Sequence, residues 1–76
     1  MLKFKNNDRV KVNNKLNIRW EDKEQEKRLI GEIGVIIEAL ENSVYPYQIK
    51  FYNEKIQKIN LDMGSRLFDE YEFDFA

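Results

Sequence analysis

Residues 31–52, GEIGVIIEALENSVYPYQIKFY, restrict the fold of this chain more than any other stretch. Ile33, Val35, Ile37 and Ala39 alternate with Glu32, Gly34, Ile36 and Glu38, which reads as a strand whose first set faces a core. Gly34 then falls on the opposite face, and a glycine inside a strand marks a bulge, a bend or a close backbone approach. Gly31 stands where a long loop ends and can take a positive φ there. Glu41-Asn42-Ser43 supplies turn chemistry. Tyr47, Ile49 and Phe51 share one face of the return strand, and Pro46, which has no N–H to donate, belongs at its start or on an edge. The stretch is therefore expected to be a bent hairpin.

Strands are expected on both sides of it. Val10 and Val12 alternate with Arg9 and Lys11, and Asn13-Asn14 ends that first strand. Residues 13–30 form a long connection in which the charged octet Glu21–Arg28 supports one helical turn or a loop. After Asn53-Glu54, residues 55–61 read as another strand through Ile59 and Leu61, with Ile56 out of phase. Asp62-Met63-Gly64-Ser65 is a turn, and the tail RLFDEYEFDF returns Phe68 and Phe73 to the core. The expected architecture is all-β: a single domain spanning 1–76, a small barrel of about five strands with a long loop between the first two. Its expected core is Phe4, Val10, Val12, Ile33, Val35, Ile37, Tyr47, Ile49, Phe51, Ile59, Leu61, Phe68 and Phe73.

Composition excludes more chemistry than it suggests. The 76 residues contain no Cys, His or Thr, so disulfides, thiolate metal sites and the commonest general base are all missing. Ser43 and Ser65 lie in turns without an evident base, no glycine-rich loop precedes a helix to cradle phosphate, and the acidic residues lack a calcium-loop spacing. A non-catalytic protein without cofactor or metal is expected. Glu70 and Glu72 read as solvated surface. No run approaches the roughly 18 apolar residues of a membrane helix, and the N-terminus has no apolar signal region, which points to the cytoplasm. The abundance of Asn, Lys and Ile fits a low-GC bacterium, or a phage or plasmid within one. Residues 1–20 carry a net +5 and residues 61–76 a net −4; terminal strands lying side by side would neutralise both.

Four motifs resemble a known group. They are the Asp-Arg-Val-Lys-Val opening behind an aromatic (Phe4 to Val12), Gly-x-x-Gly-Val-Ile (Gly31 to Ile36), Tyr-x-Ile-x-Phe (Tyr47 to Phe51) and the closing Leu-Phe-x-Glu-x-Glu-Phe (Leu67 to Phe73). Together they resemble the small SH3-like barrels of KOW-type modules, of Mind-bomb-type repeats, and of small bacterial and phage proteins. The resemblance implies an SH3-like barrel. The acidic and aromatic signature of proline-peptide binding is not visible, and residues 13–30 are longer than the usual KOW loop.

Two functional readings follow. In the first, the domain binds a protein partner through Trp20, Ile36, Leu40, Tyr45 and Tyr52, side chains of the kinds found at interface hot spots. It could then be a small phage- or plasmid-encoded regulator or inhibitor that uses its acidic tail, or it could self-associate through the edge of the Pro46 strand or of the N-terminal strand. In the second, Lys3, Lys5, Arg9, Lys11 and Arg19 contact the phosphates of a nucleic acid while Trp20 stacks on a base. The pI near 5.4 favours the protein partner.

Overall fold

The computed structural model describes residues 2–76. Five strands, β1 (Arg9–Val12), β2 (Ile33–Ala39), β3 (Tyr47–Phe51), β4 (Leu67–Phe68) and β5 (Phe73–Phe75), pair antiparallel in the order β4-β3-β2-β1-β5. Two helices interrupt them: α1 (Lys23–Lys27) in the long β1–β2 connection and α2 (Glu54–Asp62) between β3 and β4. Flat strands about 4.8 Å apart would separate β4 from β5 by roughly 19 Å. The chain crosses from one to the other through Asp69 and a 3-10 turn, Glu70–Glu72, which rises only about 2 Å per residue. So short a link requires the sheet to curl, and it forms a half-barrel. The two chain ends do lie side by side, with Lys11 opposite Asp74 and Val12 opposite Phe73.

The concave face is filled by aromatic and aliphatic side chains. Phe4, Tyr47 and Phe73 form its centre, with ring centroids 4.5–5.6 Å apart, and the Tyr47 hydroxyl accepts from the Phe4 N–H at 3.2 Å. Val10, Val12, Ile49, Phe51 and Phe68 complete the expected part of the core. Leu16, Leu29 and Ile56 join it from the long connection and from α2.

The face assignment of β2 is corrected. Gly34 and Ile36 point inward; Ile33 and Val35 are half-buried on the outer face, and Ile37 is 46% exposed. A Cβ on Gly34 would meet Ile49 Cγ2 and the Lys50 carbonyl oxygen at 2.6 Å, so glycine is required for β2 to approach β3 this closely. A bulge between Ile36 and Glu38 then shifts the phase, and Ala39 returns to the inner side opposite Tyr47. Three consecutive β-branched residues, Val35-Ile36-Ile37, suit either phase, and the bulge means that no single alternation describes the strand.

Residues 54–62 are also corrected, from strand to helix. The Asn53 side chain caps α2 by accepting from the N–H groups of Lys55 and Ile56. Ile56, Ile59, Asn60 and Met63 recur at helical spacing on its inner side, while Leu61 is exposed. The helix ends in a Schellman arrangement: the Gly64 N–H bonds the Leu61 carbonyl at 2.9 Å and the Ser65 N–H bonds the Asn60 carbonyl at 3.0 Å. Both Gly64 and Ser65 have positive φ.

Candidate binding site

The long β1–β2 connection is held down by buried charge. Glu26 on α1 and Glu72 in the 3-10 turn are almost wholly buried, and Arg66, the residue before β4, lies between them. Arg66 donates through Nε to Glu26 Oε2, and through Nη2 to Glu72 Oε2 at 3.0 Å and to the Asn17 carbonyl at 2.7 Å. The remaining lone pairs of the carboxylates are taken by backbone. Glu26 Oε1 accepts from Arg19 and Trp20 N–H at 2.8 and 2.7 Å. Glu72 accepts from Asn17 N–H and Asp69 N–H, both at 2.8 Å. Arg19 balances the second negative charge, its Nη2 standing 3.4 Å from Glu72 Oε1 and 2.7 Å from the Leu67 carbonyl.

Burial by itself raises the Glu26 pKa. The Trp20 N–H, the Arg66 hydrogen bond, the Arg19 N–H and the Arg66 charge together outweigh that effect and hold the carboxyl below its usual range. Glu72 is buried against Arg66 and Arg19, not the solvated residue expected from its acidic surroundings.

This network forms the floor of a cleft of about 390 Å³. Trp20 and Tyr45 contribute aromatic surface to it, and Met63, Gly64, Ser65 and Leu67 supply the opposite lip. Tyr45 comes from the β2–β3 connection and Trp20 from the β1–β2 connection, so the fold gathers residues far apart in sequence. The Arg19 guanidinium stacks on Tyr45, its Cζ 3.8 Å from the ring centroid, and fixes that ring against the network. Ser65 holds φ 60° at the lip, an uncommon conformation for a residue with a Cβ.

The expected site residues separate into three groups. Trp20 and Tyr45 share the cleft. Tyr52 lies on the outer sheet face and Leu40 is exposed where β2 ends, neither of them lining the cleft. Ile36 is 0% exposed and is a core residue; the inverted phase of β2 removes it from any surface. The basic residues are equally dispersed. Arg9 and Lys11 project from the outer face as expected, whereas Lys3 lies beside Glu70, Tyr71 and Asp74, and Lys5 sits in the turn closed on Asp8. The Arg19 guanidinium is committed to Glu72, Leu67 and Tyr45. Among the described residues, no basic side chain other than Arg19 and the buried Arg66 lines the cleft with Trp20. Of the two strands expected to offer an edge, β1 lies between β2 and β5, and β3 lies between β2 and β4, which pairs only with Tyr47 and Gln48.

Glu26, Arg66 and Glu72 escaped the sequence reading because charged residues are normally solvated, and nothing in their spacing signals mutual burial. Among the described residues no helix is long and apolar enough to cross a membrane. Comparison of the chain with protein-family models, with curated proteins and with solved structures gives no match.

Proposed function

We propose that this chain is a small SH3-like barrel acting as a non-catalytic binding module for a protein partner, with the Trp20–Tyr45 cleft as its contact surface. The five-strand curl and the long connection after β1 support the SH3-like reading. The observation that carries the functional reading is two aromatic residues at one cleft beside an internally satisfied ion network, Tyr45 stacked by Arg19 and Trp20 tied to Glu26 through its backbone N–H. Trp and Tyr anchors bury large area at low entropic cost, and surfaces organised before contact retain more of that gain. The cleft suits an apolar or aromatic side chain of the partner, with Ser65 and Tyr45 supplying hydroxyls to its lining.

The test is affinity capture from a low-GC bacterial lysate treated with nuclease, comparing the wild-type chain with Trp20→Ala and Tyr45→Ala. A protein retained by the wild type through nuclease treatment and lost with both variants supports the reading. Capture that disappears with nuclease, or that survives both substitutions, overturns it. A small regulator or inhibitor encoded by a phage or plasmid is the form of such a module that the composition favours.

A further inference from the structure

The outer face of the sheet carries a second surface, unrelated to the Trp20 cleft. Strand register places Arg9, Val35 and Lys50 in one row across β1, β2 and β3. The next row holds Lys11 opposite Ile33, with Tyr52 joined to Ile33 through its backbone N–H at 3.1 Å. Directly opposed residues share a face, so aliphatic side chains of β2 run between cations contributed by β1 and β3.

The helix α2 walls this face on one side. Glu54, Gln57, Lys58 and Leu61 recur at i, i+3, i+4 and i+7, a stripe beside the one that Ile56 and Asn60 bury. Between helix and sheet lies a groove of about 500 Å³ lined by Val35, Tyr52 and Leu61 among others. Tyr52 is 59% and Leu61 56% exposed, so apolar surface is left facing water. Arg9 lies over the Tyr52 ring, Cζ to centroid 5.8 Å.

The charge around this groove selects its occupant. Arg9, Lys11, Lys50 and Lys58 form no ion pair among the described residues, and Glu54 is the one carboxylate that lines the groove. Lys11 stands opposite Asp74, so the local excess of positive charge rests on Arg9, Lys50 and Lys58 against Glu54, and on a chain of net charge −1 it attracts and orients anionic partners. A nucleic acid would use the cations and leave the aliphatic floor without a partner; an acidic polypeptide with an apolar anchor uses both.

We propose that the groove between α2 and the outer face of β2–β3 docks an acidic segment of a partner protein. One large apolar side chain of that segment seats among Val35, Tyr52 and Leu61, and its carboxylates face Arg9, Lys50 and Lys58. This docking is independent of the Trp20 cleft, so each surface fails or succeeds separately.

The experiment uses dye-labelled acidic peptides of about 12 residues, rich in Asp and Glu around a central Leu, Phe or Trp. Binding to the full chain is followed by fluorescence anisotropy and located by ¹H–¹⁵N chemical-shift changes. Expected are saturable binding at low salt, loss of affinity with added salt, and shifts confined to β1, β2, β3 and α2. The exposed-site variants Lys50→Glu/Lys58→Glu and Leu61→Ser should each weaken binding about tenfold or more, with Trp20→Ala leaving it unchanged. No binding at low salt by any of these peptides overturns the proposal, as does affinity insensitive to Lys50→Glu/Lys58→Glu. Matching peptides with Lys in place of Asp and Glu, and an oligo-dT strand, are the competitors. Equal binding of the basic peptides, or binding of oligo-dT alone with the same shifts, also overturns it.

Discussion

Arg66 and Glu26, forty positions apart in sequence, meet in the interior with the guanidinium Nε donating to the carboxylate. Their contact ties the turn after α2 to the helix in the long connection, and Glu72 joins the 3-10 turn to the same guanidinium. Removing Arg66 would leave Glu26 buried without its counter-charge and Glu72 with Arg19 alone. Breaking a buried pair in this way costs about 3–5 kcal/mol, a large share of what a 76-residue domain has available. Arg66→Met is therefore expected to be largely unfolded or strongly shifted in urea denaturation followed by far-UV circular dichroism. Arg66→Lys should fall between the two, because an ammonium supplies the charge but cannot present Nε and Nη2 to two carboxylates at once. A midpoint for Arg66→Met within experimental scatter of the wild type would mean that the network contributes nothing.

The lowered pKa of Glu26 fixes the sign of its pH dependence. Its folded-state value lies below the ordinary 4.5. The stability it contributes is complete above the unfolded value and is lost as pH falls through the folded one. Paired urea titrations of wild type and Glu26→Gln should show the wild type more stable at pH 7, with the gap narrowing once the pH drops below about 4.5. A gap that stays constant from neutral to acid would show that ionisation of Glu26 has no part in holding the long connection down.

The phase of β2 is testable with two neighbouring substitutions. Ile36 is completely buried while Val35 is half-exposed on the outer face. Ile36→Ala should cost about 2–5 kcal/mol through lost burial and the cavity left behind. Val35→Ala should cost less, about 1 kcal/mol, because part of its side chain stays in contact with water and its removal leaves no closed cavity. Thermal or urea unfolding of both variants checks this, and a reversed order would restore the alternation expected from sequence.

That reversal shows where the sequence was readable. Val10, Val12, Tyr47, Ile49 and Phe51 declared their faces because polar residues alternate cleanly with them. In β2 the aliphatic run blurred the pattern, and the bulge at Ile37 depended on β3, which local sequence does not describe. The helix α2 did leave a signal: Ile56 was out of phase for a strand and in phase with Ile59, Asn60 and Met63 for a helix, behind an Asn cap. At the cleft, Trp20 and Tyr45 were recognisable as candidate anchors by residue type alone. Their proximity, and the ionic floor beneath them, come from tertiary contacts between segments more than twenty residues apart. Local composition could not reveal those contacts.

Asn60 offers a further check, because one side chain satisfies two separated backbone groups. Its Nδ2 donates to the Ile49 carbonyl at 3.0 Å and its Oδ1 accepts from the Arg66 N–H at 3.0 Å. Gln57 acts one turn earlier, accepting from the Phe51 N–H at 2.9 Å. β4 pairs only with Tyr47 and Gln48, so side chains of α2 take the place of a longer edge strand along the rest of β3. Asn60→Ala strands a buried carbonyl and a buried N–H, each costing about 1–3 kcal/mol, and uncovers strand edge that can pair with another chain. The variant is expected to lose stability in urea and to gain mass by light scattering as concentration rises. Asn60→Asp keeps the acceptor for the Arg66 N–H, and once protonated its hydroxyl can also donate to the Ile49 carbonyl, so its loss at a pH low enough to protonate the new carboxyl should be smaller than that of Asn60→Ala. Equal losses at that pH would mean that the hydrogen bonds of this side chain have no energetic weight, and that α2 holds the β3 edge through Gln57 and apolar packing.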